Sequence, residues 1–189
     1  MKLLSNIERM SETMYAIIAT LDETTNQKIR NLWQELKDMS LSDYAYQVRD
    51  REPHITLADF ETIAVEEVLE SLGDKLNLTL PLELSFQAIG SFLGSSIVFL
   101  GPTKTPGLAR LHKHIHDLLG QLVAVDSQYV PEVWIPHLTL ANRINEDKLT
   151  QVYAHCLNNL EMTRGQITAI KVIATDEQGQ VKEICQFTS

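Results

Sequence analysis

The sequence predicts an α+β fold of two pseudo-symmetric βαβαβ lobes, with largely antiparallel sheets, helices on the outside and a central groove. Two observations carry that expectation: an octapeptide that occurs twice, and hydrophobic periodicities that repeat in the same order around each copy. The copies are Pro53-His54-Ile55-Thr56-Leu57-Ala58-Asp59-Phe60 and Pro136-His137-Leu138-Thr139-Leu140-Ala141-Asn142-Arg143. They are identical at five of eight positions, and the third position is a conservative exchange. An internal repeat decides the architecture before any single element is placed.

In the first half, Tyr15–Ala19 reads as a buried strand. Residues 23–39 follow with Ile29, Leu32, Trp33 and Leu36 at helical spacing. After the first octapeptide, a helix over 65–76 carries Val68, Leu69 and Leu72 inward, and residues 82–89 alternate as a strand. The second half repeats the order. Ser96–Leu100 is the buried strand, and Gly101, Pro102, Pro106 and Gly107 punctuate a turn. A helix over 108–122 aligns Leu111, Ile115, Leu118, Leu119 and Leu122. The second octapeptide precedes a helix over 146–160 with Asn145 as N-cap. A hairpin of 167–174 and 181–187, turning at 176–179, closes the chain. The halves span about 14–92 and 95–189 and join near Gly90–Ser96, and their elements can interleave. Residues 1–13 read as an N-terminal extension or a surface helix.

Composition narrows the partners. A 44% apolar fraction supports a packed core, while a net charge of −9 argues against gripping a long duplex. A small nucleotide or an RNA end is the better match, held by a local pocket. Cys156 and Cys185 make neither a disulfide framework nor a thiolate metal motif. Glu8, Arg9 and Glu12 interrupt the opening apolar run, and Ala16–Leu21 is too short to span a bilayer. The expectation is a cytoplasmic monomer with no membrane contact.

Each octapeptide reads as a strand, and the strand period of two places His54 with Thr56, and His137 with Thr139, on one face. If a two-fold sets the strands side by side, two His–Thr pairs meet in one groove. Imidazoles titrate near 6.5, so one can accept a proton while the other donates. Threonine hydroxyls can hydrogen-bond phosphate oxygens. The scheme needs no metal or other cofactor, and no P-loop is present. By parity, Phe60 and Arg143, each six residues beyond a histidine, join the same face as substrate contacts if the strands run that far; the alternative is a core phenylalanine and a solvated arginine.

These paired H-x-T motifs, 83 residues apart on duplicated halves, resemble the two-histidine (2H) phosphoesterase superfamily, especially its 2'-5' RNA ligase and RNA 2',3'-cyclic phosphodiesterase members. The resemblance covers the chain after about Met14. It implies a hydrolase in which His54 is the proton donor, His137 the acceptor that activates water, and Thr56 and Thr139 the phosphate-binding hydroxyls. Phe60 lies close to an aromatic that follows the first motif in that family, Arg143 matches a basic residue after the second, and Phe99-Leu100-Gly101 is similar to the strand between the halves.

Two other functions compete. A non-catalytic binder of nucleotides or RNA ends would keep the groove without turnover; the presence of all four His and Thr residues argues against it. A metal hydrolase would use His112 and His116, which share a helix face at i, i+4. No third ligand is placed there, and the expectation is that they edge a solvated face. His155 reads as a surface or packing residue, Trp33 and Trp134 as core or groove-wall aromatics.

Overall fold

The structure, a computed structural model, describes residues 13–60, 64–124, 126–161, 164–176 and 178–188. Apart from Thr13, the expected N-terminal extension lies outside these residues. Strand β1 (Met14–Leu21), helix α1 (Glu23–Asp38), β2 (His54–Phe60), α2 (Val65–Leu72) and β3 (Leu82–Gly90) form the first half. Strand β4 (Val98–Pro102), α3 (Pro106–Leu119), β5 (Leu138–Ala141), α4 (Glu146–Asn159), β6 (Arg164–Thr175) and β7 (Val181–Phe187) form the second.

Local chemistry fixes the helix starts. The Asp22 carboxylate accepts from the backbone N–H of Thr25 at 2.9 Å and from its hydroxyl at 2.7 Å, capping α1. Thr105 caps α3 through the Leu108 N–H at 3.2 Å, with Pro106 beginning the helix. Asn145 takes the N-cap position of α4, but its side chain makes no capping hydrogen bond. Gly120 ends α3 at φ +55°, where a β-carbon would be strained. The helices expected to run to 76 and 122 give way earlier, at Leu72 and Leu119, to single 3₁₀ turns.

The strands form one antiparallel sheet in the order β1-β2-β5-β4-β3-β6-β7, and β1 also pairs with β6. The ladder β1-β2-β5-β4-β3-β6 therefore closes on itself, with β7 a branch on β6. Each half exchanges its third strand: β3 lies beside β4, and β6 beside β1.

The duplication extends to the irregularities. In β1–β2 the register skips Leu57, between Ile17↔Ala58 and Ile18↔Thr56. In β4–β5 it skips Leu140, between Val98↔Ala141 and Phe99↔Thr139. A second bulge falls at Thr168 opposite Thr20/Leu21 and at Gln87 opposite Gly101/Pro102. A pseudo-two-fold thus maps β1, β2 and β3 onto β4, β5 and β6. It passes through the two self-related joins, the single pair Ile55↔Leu138 and the β3–β6 pairing. The hydrophobic core is continuous across both halves, from Ile29, Leu32, Trp33 and Leu36 of α1 to Leu108, Ile115 and Leu119 of α3.

Candidate active site

The two octapeptides meet at Ile55↔Leu138, both fully buried. Because the strands are antiparallel, that pair sets His54 opposite Thr139 and Thr56 opposite His137. All four side chains lie on the face away from Ile55 and Leu138, and all four are half-buried. The imidazoles are then diagonal neighbours across the joint, about 7–8 Å apart at their backbones for regular pairing. One phosphate fits between groups at that separation.

Both imidazoles are tethered in the same way. His54 Nδ1 lies 2.7 Å from the Glu52 carbonyl oxygen, and His137 Nδ1 lies 2.8 Å from that of Ile135. A carbonyl only accepts, so Nδ1 carries the proton and donates. Each Nε2 is left for the cleft, a base when the ring is neutral and an acid when it is charged. Burial pushes the His54 imidazole below its ordinary range. The Glu52 carbonyl pulls it back, Arg51 pushes it further down, and the His137 charge adds a smaller push in that direction. Burial likewise lowers His137, opposed by the Ile135 carbonyl.

Beside His54 and Thr56 opens a cavity of about 390 Å³. Tyr129, Asp59, Arg51, Glu52 and Lys171 are among the residues that line it. The Tyr129 and Thr56 hydroxyls share a hydrogen bond, and burial pushes the Tyr129 phenol up. Lys171 is held between Glu52 at 2.9 Å and Glu183 at 3.1 Å. On the other flank, His137 meets aromatic rings: Phe92 edge-on at 4.9 Å and Phe99 at 5.5 Å.

Beneath the site, β2 and β5 part after their single pair, so β2 carbonyls on that edge lose ladder partners. Other groups take their place. The Trp134 indole N–H donates to Thr56 O at 3.1 Å, and His116 Nε2 donates to Leu57 O at 2.9 Å. His112 Nε2 donates to Tyr129 O at 2.8 Å while its ring stacks on Trp134 at 3.7 Å. His112 and His116 therefore do not edge a solvated face; they are 1% and 9% exposed. Among the described residues no group of three or more His, Cys, Asp or Glu is placed to hold a metal ion. Trp134 is core, not groove wall, and Trp33 is core as well. His155 packs across to Glu35, Nε2 to Oε2 at 3.0 Å.

Two parity expectations fail, one at a bulge and one where the strand ends. The bulge at Leu57 turns the following residues over: Ala58 points into the core, Asp59 takes the cleft face, and Phe60 is 4% exposed and packed on Tyr15 at 5.4 Å. In the second half β5 stops at Ala141 after the matching bulge. Arg143 follows in the left-handed region at φ +56°. It lines a different cavity, of about 410 Å³, with Lys37, Ser40 and Lys148. Sequence reasoning did not place Tyr129, Lys171 or Phe92 at the site. They come from a loop, a distant strand and a hairpin, with no periodicity tying them to either motif.

The fold matches solved structures end to end. E. coli LigT crystallised with 3'-AMP aligns at a TM-score of 0.62 and 14% identity, covering 95% of this chain and 98% of that one. A structure described as a phosphoesterase aligns at 0.63 and 14%, covering 94% and 98%. E. coli LigT with phosphate gives 0.62 and 14%, covering 95% and 98%. No curated protein matches the chain. A family model described as the 2'-5' RNA ligase superfamily matches residues 25–179, a span that takes in both His–Thr motifs and the crossing where they meet. Duplicated halves, one His–Thr pair on each and a match across both make this chain a member of the 2'-5' RNA ligase superfamily, whose enzymes are two-histidine phosphoesterases.

Proposed function

We propose that the protein is a metal-independent phosphodiesterase that opens a 2',3'-cyclic phosphate, or cleaves a 2'-5' phosphodiester, on a nucleotide or RNA end. The observation that carries this reading is the symmetric pair of imidazoles, each fixed through Nδ1, with no hydrogen bond to Nε2 among the described residues, and each joined by a threonine hydroxyl across one crossing. The phosphate sits between them. Nε2 of His137 takes a proton from water as its oxygen bonds to phosphorus. The P–O bond to the ribose oxygen breaks, and Nε2 of charged His54 gives its proton to that oxygen, leaving a monoester. Thr56 and Thr139 hold the non-bridging oxygens. Each proton transfer is worth about 10²- to 10⁴-fold in rate.

The bound anion also sets the protonation states. Both imidazoles are depressed in the free protein, and a phosphate charge between them favours the charged form of one. E. coli LigT, a structural relative, has been crystallised with 3'-AMP and with phosphate, which agrees with a nucleotide-sized substrate here.

The test is hydrolysis of nucleoside 2',3'-cyclic phosphates in EDTA by wild type, His54→Ala, His137→Ala and the double variant. Each single variant should lose nearly all turnover, and the double should be little worse, because the pair acts as a unit. An active His137→Ala protein, or activity abolished by EDTA in the wild type, refutes the mechanism. A cleft that binds cyclic nucleotide without turnover in the wild type makes the protein a binder.

A further inference from the structure

The catalytic groups are related by the pseudo-two-fold, so they cannot by themselves tell one end of a substrate from the other. Discrimination falls to the positions where the halves differ. The registers map Ile18 onto Phe99 and Lys171 onto Gly90. The first lobe thus presents an aliphatic residue and a lysine where the second presents a phenyl ring and no side chain.

Each difference is built in. A β-carbon at Gly90 would lie 2.5 Å from the Phe99 ring, so glycine is what lets that ring cross its partner strand. Phe99 in turn backs Phe92, the two stacked at 4.6 Å. Phe92 is half-buried and sets its ring against His137. Its chain neighbour Leu93 is fully exposed, and Ile135, whose carbonyl tethers His137, is 53% exposed. The result is an aromatic shelf next to one catalytic imidazole.

The His54 side has the opposite character. Its cavity is lined by four carboxylates, Asp50, Glu52, Asp59 and Glu183, against two cations, Arg51 and Lys171. Lys171 is already committed to two of those carboxylates. Asp59 Oδ1 is buried without a hydrogen-bond partner among the described residues, an acceptor awaiting a donor. An excess of negative charge repels a second phosphate and suits hydroxyl or amino donors.

Resting on the phosphodiesterase reading above, we propose that the substrate lies across the two-fold in one direction, its nucleobase stacked on Phe92 in the His137 lobe and its free sugar hydroxyl, the 5'-OH of a 2',3'-cyclic nucleotide, toward Asp59 and Tyr129. The pocket then selects nucleosides by stacking, purines above pyrimidines, and disfavours additional phosphates on the His54 side.

The experiment compares three cyclic substrates: adenosine 2',3'-cyclic phosphate, the uridine compound, and 1-O-methylribose 2',3'-cyclic phosphate, which has no base. Phe92→Leu keeps apolar packing against His137 and removes the ring; Phe92→Tyr restores it. Aromatic stacking of a base is worth roughly tenfold to a hundredfold on alanine substitution. Phe92→Leu should raise KM for the adenosine substrate by about tenfold, less for uridine, with the pH profile unmoved and the baseless substrate unaffected; Phe92→Tyr should behave as wild type. Equal losses with and without a base show a purely structural Phe92 and overturn the proposal, as does a base-dependent loss in Ile173→Ala, on the opposite flank, with none in Phe92→Leu. Equilibrium binding of adenosine 3'-phosphate against ribose 3-phosphate repeats the comparison without turnover. Base-dependent binding that requires Phe92, in a protein that hydrolyses nothing, sinks the catalytic reading and leaves the stacking site standing.

Discussion

Acid should unfold this protein largely through one residue of α3. His112 is 1% exposed, stacked on Trp134 and hydrogen-bonded to the Tyr129 carbonyl. Burial, then the neighbouring His116 charge, pushes its imidazole down to about 4. In the unfolded chain the same ring titrates near 6.5. Between those values the unfolded state binds the extra proton, so stability that is complete above pH 6.5 falls as pH drops toward 4. A gap of that size corresponds to roughly 3 kcal/mol, a large share of an ordinary domain's stability. His112→Gln keeps an N–H donor for the Tyr129 carbonyl and has no proton to gain. Urea unfolding of both proteins at pH 7 and pH 4 isolates the difference, because the carboxylates titrating in that window are common to both. The wild type should lose about 3 kcal/mol more than the variant. Parallel losses would show that His112 does not control the acid limb.

Thr56→Ala and Thr139→Ala should each reduce kcat/KM by about one to two decades, as expected for a hydrogen bond to a charged group; steady-state kinetics on a cyclic nucleotide reads this, and an unchanged Thr139→Ala would remove that hydroxyl from phosphate binding. The pH optimum for kcat should lie above that for kcat/KM, since the free imidazoles are both depressed and the bound anion raises them; coincident optima would show that the phosphate does not sit between the histidines. His116→Phe should cost about 1–3 kcal/mol by leaving the buried Leu57 carbonyl unpaired, measured by denaturant unfolding at pH 7, with catalysis by the folded fraction retained.

The duplication was legible because it is written twice: the octapeptides and their flanking periodicities align without any knowledge of contacts. The pairing of His54 with Thr56, and of His137 with Thr139, followed from strand parity, which holds for two residues from each histidine. Parity failed beyond that for a physical reason. A bulge adds one residue to one strand and inverts every face after it, and nothing in Leu57-Ala58 or Leu140-Ala141 announces one. Phe60 was misplaced by that single step, and Arg143 by the end of β5 at Ala141, two residues short of it. The reading of His112 and His116 failed differently. Their helical spacing was right, but the need they serve, carbonyls orphaned where β2 leaves β5, exists only once the sheet has closed. Tyr129 and Phe92 lie on connections, where side-chain direction is set by packing rather than by period.

The exchange of third strands has a consequence for how the chain holds together. A cut near Gly94 would separate the halves in sequence, yet each fragment would carry a strand that pairs across the cut: β3 with β4 and β6, and β6 with β1 and β3. Neither piece alone completes its sheet, and each leaves unpaired edges of the kind that recruit another chain. The fragments are complementary, and their re-association would rebuild both joins at once. Covalent continuity through the hairpin at 91–97 thus does the work that association between two copies would otherwise do. It also frees the halves to diverge, so that one lobe keeps a lysine where the other has a glycine, an asymmetry no pair of identical chains could hold.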